Sequence, residues 1–437
     1  MKVLKFGGTS VGSAERIKHV ARLVKDNNPK IVVLSAMAGT TNSLVEISKL
    51  LHKKKHPEAK KKINSLEKKY ISISDELFKP GTFRTEAKEI IRSHFDQIRS
   101  FTIDLFTVNE EKSILAQGEM ITSNIFYLYL SEQNIDAVFL NALNFMRVDS
   151  NHEPDNYYIK ENLKRELDKY PGKKLFVTQG YICRNLYGEI DNLKRGGSDY
   201  SASLIAAATD AEEVQIWTDI SGFNNNDPRY VNNTEPVSKL SFDEAAELAY
   251  FGAKILHPSS VHPTKTAGIP VLLKNTLDPE HPGTLITQKA NGKGIKAIAA
   301  KDEIIAIKIK SGRMLLAYGF LRRVFEVFEY YKTPIDMITT SEVAVSLTID
   351  NREHLDEILS DLKKYGDVEL NDEQTIVCFV GQDIVDQKGY INKIFEALKD
   401  FRIRMISFGG SRHNISLLIN SSDKKAVLNS LHRYIFG

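Results

Sequence analysis

Cysteine is scarce: the 437-residue chain carries two, Cys183 and Cys378. They are too far apart in sequence to make a metal cluster by themselves and suit a reducing compartment, with a pairing between the two left open. No apolar run approaches the ~20 residues that span a bilayer. The N-terminus passes from Met1-Lys2 straight into a strand-like run, with no signal-peptide core. A surplus of charge is missing too: 59 Lys and Arg face 56 Asp and Glu, a net charge of +3. That balance excludes binding to nucleic acid driven by bulk charge. What remains is an ordinary globular mixture, 42% hydrophobic and 26% charged. The expectation is a cytoplasmic protein of two to three domains at ~100–200 residues each, with neither nucleic acid nor membrane as a partner.

Apolar patterning organises the first two thirds. Val3–Phe6 reads as a short strand that ends in Gly7-Gly8-Thr9-Ser10. A helical face of Ile17, Val20, Ala21 and Val24 follows, then the continuous apolar strand Ile31–Leu34. Strand-like runs recur at 136–140, 174–178, 214–218 and 270–273, with helical stretches at 120–133, 198–208 and 241–254 between them. This alternation predicts an α/β fold: an open, mostly parallel sheet sandwiched by helices over residues 1–292. Residues 46–113 break the rhythm and read as a lysine-rich helical insertion. With overall charge balanced, a solvated helix face is favoured there over an anion-binding patch.

The last third repeats itself. Gly319-Phe320 recurs as Gly389-Tyr390, and Ser341–Leu347 recurs as Ser411–Leu417, both at an offset of 70 residues (319 to 389, 341 to 411). Each copy reads strand, helix, strand, strand, helix, an order that is ferredoxin-like. Two α+β units are expected, at 300–371 and 372–437.

Two glycine pairs carry the chemistry. Lys5-Phe6-Gly7-Gly8-Thr9-Ser10 lies between a strand and a helix, where backbone amides approach phosphate oxygens. A lysine at the strand end adds the positive charge that phosphoryl transfer needs. Arg195-Gly196-Gly197-Ser198-Asp199 opens a second helix. Two anion-binding helix starts on one sheet point to a site at the carboxyl ends of the strands.

Taken in order, Lys5–Ser10, Ser35–Asn42, Gln117-Gly118-Glu119, Arg195–Asp199, Trp217-Thr218-Asp219, Asp227-Pro228-Arg229 and Phe251–Pro258 resemble the aspartokinases of the amino acid kinase family. The likeness covers essentially the whole chain, because the repeated C-terminal units look like that family's paired ACT domains. Within it, Met314 and the stretch Asp336–Glu342 resemble the monofunctional, lysine-sensitive branch.

The resemblance implies transfer of the ATP γ-phosphoryl group to the β-carboxylate of L-aspartate, giving 4-phospho-L-aspartate on the way to lysine, threonine and methionine. ATP with Mg²⁺ is implied, and no residue set is nominated as a metal cage. Lys5 and Asp199 would be catalytic. Lys5, Phe6, Gly7, Gly8, Thr218, Asp219, Asp227, Arg229 and Lys254 would bind ATP, and Ser35, Thr41, Glu119 and Arg195 would bind aspartate. L-Lysine would inhibit through Met314, Asp336, Thr340, Ser341 and Glu342, in a homodimer joined through the ACT units, with a dimer of dimers left open. Lys194, Asn224 and Asp191-Asn192 depart from the residues usual beside these motifs. The competing readings are an amino-acid-sensing ACT protein without catalysis and a glutamate- or carbamate-type kinase of the same fold.

Overall fold

The structure is a computed structural model and describes all residues except 104, 194–195, 253–255, 291, 293 and 313–317. The chain forms two compact units, Met1–Gly222 with Leu256–Gln288, and Phe223–Ile255 with Lys289–Gly437.

In the first unit, parallel strands lie in the order Val138–Leu140, Leu175–Gln179, Lys30–Leu34, Lys2–Phe6, Glu213–Thr218 and Val271–Asn275, with Thr284–Thr287 antiparallel beyond them. All five residues of Lys30–Leu34 are buried, as a continuous apolar run predicts for a strand covered on both faces. The helix Ala14–Leu23 starts at Ser13, whose hydroxyl accepts the Arg16 N–H, and buries Ala14, Ile17, Val20 and Ala21 at helical spacing. Register decides where the site lies. Phe6 pairs with Leu34 and Trp217, and Leu34 with Gln179, so the loops after these strands leave the sheet at one edge.

The insertion is helical, built from Thr40–His52, His56–Leu77, Thr82–Ser100 and the start of Val108–Glu132. His56–Leu77 buries Ala59, Ile63, Leu66, Tyr70, Ile73 and Leu77, while Lys60, Lys61, Lys62 and Lys68 are exposed. The dense lysines are thus the wet side of an amphipathic helix whose dry side joins the core of the sheet. No helix among the described residues is long and apolar enough to cross a membrane.

The second unit holds one antiparallel sheet in the order Ile338–Thr340, Ala344–Ile349, Gly294–Lys310, Asp367–Gln382, Asn414–Asn420, Met405–Ser407. The 70-residue repeat is visible in it. Gly319 (φ 79°) and Gly389 (φ 92°) each precede a helix, Phe320–Tyr330 and Tyr390–Ala397, in the left-handed conformation that glycine adopts without penalty. Two apolar cores result. Gly294–Lys310 serves both, giving Ile305, Ile307 and Ile309 to one and Ile298 to the other. The break expected near residue 300 falls inside this strand. The charged residues Lys301-Asp302-Glu303 interrupt the apolar pattern there, and a register shift between Lys301 and Ile304 absorbs the irregularity as a bulge without ending the strand. The helix expected over 241–254 spans Phe242–Tyr250, capped by Ser241 and Glu244, and ends before Gly252 at φ 131°.

Candidate active site

Lys5 ends a central strand of the first unit, and its Nζ stands 2.6 Å from Asp199 Oδ1. Asp199 lies in the first turn of Gly197–Ala208, whose N-cap Gly196 adopts φ 73°. Both side chains are about one eighth exposed, 12% and 13%, so the pair is sheltered yet reachable. Close backbone approach explains the first glycine pair. The Gly8 carbonyl accepts the Ala38 N–H at 3.0 Å, and a Cβ on Gly8 would lie 2.6 Å from the Ala36 carbonyl oxygen. The Ser35 N–H donates to the Phe6 carbonyl at 3.2 Å, which draws the 35–42 loop over the same edge. Gly7 already donates its N–H to the Trp217 carbonyl at 3.1 Å, so this amide is engaged within the protein.

These loops enclose a cavity of about 810 Å³. Of the nominated residues, Lys5, Gly7, Gly8, Ser35, Thr41, Glu119, Asp199, Thr218 and Asp219 line it. Its electrostatics are uneven. Glu119 is buried, and burial pushes its carboxyl up to about 8 against the opposing pull of the Ala36 amide and the Lys5 charge. One of its oxygens, Oε2, has no hydrogen-bond partner. A buried, under-satisfied carboxyl beside a lysine is ready to receive a cationic group, which would restore its ionised form.

Other nominated residues lie elsewhere. Phe6 does not line the cavity; it is fully buried and stacks on Trp217 with ring centroids 5.6 Å apart. Its place in the motif is packing beneath the loop. Asp227 and Arg229 belong to the second unit and pair with each other, with Arg229 Nη2 2.7 Å from Asp227 Oδ2. Burial works against ionisation of Asp227, but the guanidinium and the Arg229 N–H hold the carboxyl below its usual range. Arg195, Lys254 and Met314 lie outside the described residues.

Two lining residues, Tyr181 and Leu193, were not anticipated. Tyr181 follows the buried strand Leu175–Gln179 at φ 68°, uncommon for an aromatic, with its N–H held by Ser201 Oγ at 2.8 Å. The signal was positional: it stands just past the carboxyl end of a parallel strand, where ligands collect.

Comparison with known proteins now bears on this geometry. The model of the amino acid kinase family matches residues 1–275, and an ACT domain model matches 377–434. The lysine-sensitive aspartokinase 3 of Escherichia coli is 32% identical over 447 residues, covering 99% of each chain. The chain belongs to the aspartokinases of the amino acid kinase family. The chloroplastic aspartokinase 2 of Arabidopsis thaliana is 31% identical, over 99% of this chain and 84% of that protein. Two crystal structures of E. coli aspartokinase III align over all of both chains at 31% identity. One, in complex with aspartate and ADP (R-state), gives a TM-score of 0.84, and the other, with lysine and aspartate (T-state), gives 0.85.

The second unit of this aspartokinase carries its own polar cluster. Asp336 Oδ1 accepts from Lys301 Nζ at 2.6 Å and from the Tyr250 hydroxyl at 2.8 Å, while its buried Oδ2 lacks a partner. A cavity of about 340 Å³ adjoins it, lined among others by Glu247, Met337, Ser411 and Asn414. Of the nominated regulatory residues that are described, only Asp336 lines this cavity. Thr340, Ser341 and Glu342 are exposed and do not.

Proposed function

We propose that this aspartokinase transfers the γ-phosphoryl group of ATP to the β-carboxylate of L-aspartate, giving 4-phospho-L-aspartate and ADP, and that L-lysine inhibits it. The observation that carries the chemistry is the Lys5–Asp199 pair at the carboxyl edge of the parallel strands, facing a cavity that also holds Glu119. In the reaction a β-carboxylate oxygen forms the new P–O bond as the bond to the ADP oxygen breaks. A carboxylate is already ionised at neutral pH, so no general base is required. Catalysis then rests on position and charge. Lys5 stabilises the equatorial oxygens of the moving phosphoryl group, Asp199 orients Lys5, and Glu119 receives the ammonium of aspartate. Ser35 and Thr41 offer hydroxyls to the acceptor, with Thr218 and Asp219 on the nucleotide side.

Among the described residues no three His, Cys, Asp or Glu side chains converge as a metal cage. Mg²⁺ would enter with the nucleotide, and Asp199 and Asp219 are the cavity-lining aspartates that would help hold it, as carboxylates usually do for this hard cation. When bound it neutralises phosphate charge.

Lysine inhibition is supported by the name of the E. coli relative and by the lysine complex of the E. coli enzyme. It is supported also by the unpartnered Asp336 oxygen, suited to an ammonium group. The cavity beside Asp336, with Glu247, Ser411 and Asn414 on its walls, is the proposed pocket, in a homodimer joined through the ACT units; Thr340, Ser341 and Glu342 stand outside it. Inhibition requires tighter lysine binding to the less active state. The test is hydroxylamine trapping with ATP, Mg²⁺ and L-aspartate. Hydroxamate that falls on adding lysine is expected; its absence with both substrates shown to bind would leave an amino-acid sensor instead.

A further inference from the structure

The helical insertion reaches the acceptor side of the cavity. The 35–42 loop lining it runs into the helix Thr40–His52, whose N-cap Gly39 sits at φ 79° and supplies no side-chain cap. A helix start without a cap needs its orientation fixed by other means. Two residues of the insertion helix His56–Leu77 do so. Tyr70 is fully buried, tilted on Phe95 at 5.9 Å between ring centroids, and its hydroxyl is 2.9 Å from Thr40 Oγ1 and 3.5 Å from Thr122 Oγ1. The same Thr122 oxygen accepts the Met37 N–H at 3.1 Å and donates to the Gly118 carbonyl at 2.8 Å. Next to Tyr70, Lys69, exposed like the other lysines of this helix, donates from Nζ to the Ala38 carbonyl at 2.7 Å.

Three points on the loop are therefore tied down: the Met37 amide, the Ala38 carbonyl and the Thr40 hydroxyl. The next contact inward is with Glu119, whose carboxyl takes the Ala36 amide. Tightness here is unusual, because a Cβ on Gly118 would lie 2.7 Å from the Ala36 Cβ. A loop clamped against the group that receives the acceptor sets how deep that acceptor sits, and a misplacement of about 1 Å can cost about 10²-fold in rate.

We propose that Tyr70 and Lys69 are positioning residues for the acceptor substrate: through Thr40, Thr122 and Ala38 they set the height of the 35–42 loop and so the fit of the acceptor. This rests on the aspartate kinase reading. It gives the basic insertion a part in substrate selection, although neither residue touches the reacting atoms.

The experiment compares full-length wild type with Tyr70→Phe, Lys69→Met and Lys69→Arg. Kinetic constants for aspartate and ATP are measured by hydroxamate formation, and exchange of the Met37–Thr40 amides by hydrogen–deuterium exchange. Removing one buried hydrogen bond makes a difference of about five- to thirtyfold. Tyr70→Phe should therefore raise the aspartate KM about that much, change the ATP KM less than twofold, lower the preference for aspartate over glutamate, and speed exchange of the loop amides. Lys69→Met should do the same more weakly, and Lys69→Arg, which keeps a donor, should restore wild-type behaviour. Equal changes in both KM values, or an unchanged aspartate KM with only thermal stability lowered, would overturn the proposal. If wild type forms no aspartyl hydroxamate, the kinase reading fails by itself. Faster loop exchange in Tyr70→Phe would then uphold positioning for another acceptor, and unchanged exchange would refute it.

Discussion

Each unit of this aspartokinase contains a sheltered lysine–aspartate pair at the same distance, 2.6 Å: Lys5–Asp199 in the first and Lys301–Asp336 in the second. Their surroundings differ. Lys5 and Asp199 border a cavity of about 810 Å³, and the nearby carboxyl, Glu119, is pushed up to about 8 by burial. Asp336 is nearly inaccessible at 2% and already takes the Tyr250 hydroxyl, while Lys301 has a second carboxylate, Asp350, at 2.9 Å. The first pair has charge to spare for a ligand; the second has most of its charge bound within the protein. An ion pair thus becomes a working site or a latch according to how completely its neighbours satisfy it.

The sharpest way to break this contrast is Lys5→Met. If Lys5 serves the moving phosphoryl group, kcat should fall about 10²–10³-fold or more, with folding unchanged by circular dichroism. Activity within tenfold of wild type would make the first pair structural, like the second. Lys301→Met should act on stability instead, costing about 3–5 kcal/mol because Asp336 is left buried with a lone hydroxyl donor. The measurement is the urea midpoint of unfolding, and adding Asp336→Leu should recover much of the loss.

Glu119 sharpens the contrast through pH. In the free enzyme at pH 7 its carboxyl is mostly protonated, and an incoming ammonium favours the ionised form. Aspartate binding should therefore release a proton below about pH 8, and apparent affinity should rise with pH, approaching tenfold per unit, until that point. Calorimetry in buffers of different ionisation heat measures the release, and a buffer-independent heat would contradict it. Stability of the free protein runs the other way. A carboxyl raised from 4.5 to about 8 keeps its proton longer when folded, so its stabilising contribution is present in acid and lost as pH climbs through that interval. Smallest is the effect of Asp336→Ala. Lys301 keeps Asp350, so turnover should persist, while the lysine concentration for half inhibition should rise at least about tenfold. Full retained inhibition would remove Asp336 from the effector site.

That Lys5 and Asp199 meet beside one cavity was legible because the motifs that carry them are local. Lys5 ends a strand and Asp199 begins a helix, and short apolar runs mark both elements. Tyr181 was not legible, since its place depends on a left-handed turn that no periodicity announces. Tyr70 and Lys69 were hidden for another reason. The lysine run was correctly a wet helix face, but which single lysine bends back toward Ala38 depends on packing 31 residues away in sequence. The repeat was visible through Gly319 and Gly389. The sharing of Gly294–Lys310 between two cores was not, because an alternating strand reads the same whether one core or two lies beneath it.

That shared strand has a consequence for synthesis and for engineering. Ile307 pairs with Leu370 and Ile298 with Phe379, so both ends of Gly294–Lys310 await partners well downstream. Neither ACT core can close on the ribosome until those residues emerge, and long-range pairing of this kind folds slowly. A chimera cut at residue 300 would divide one strand between two parents. Grafts from 289 onward keep the shared strand whole but leave behind Val231, which the core fed by Ile298 buries, so exchange of effector response between relatives should carry 223–255 as well.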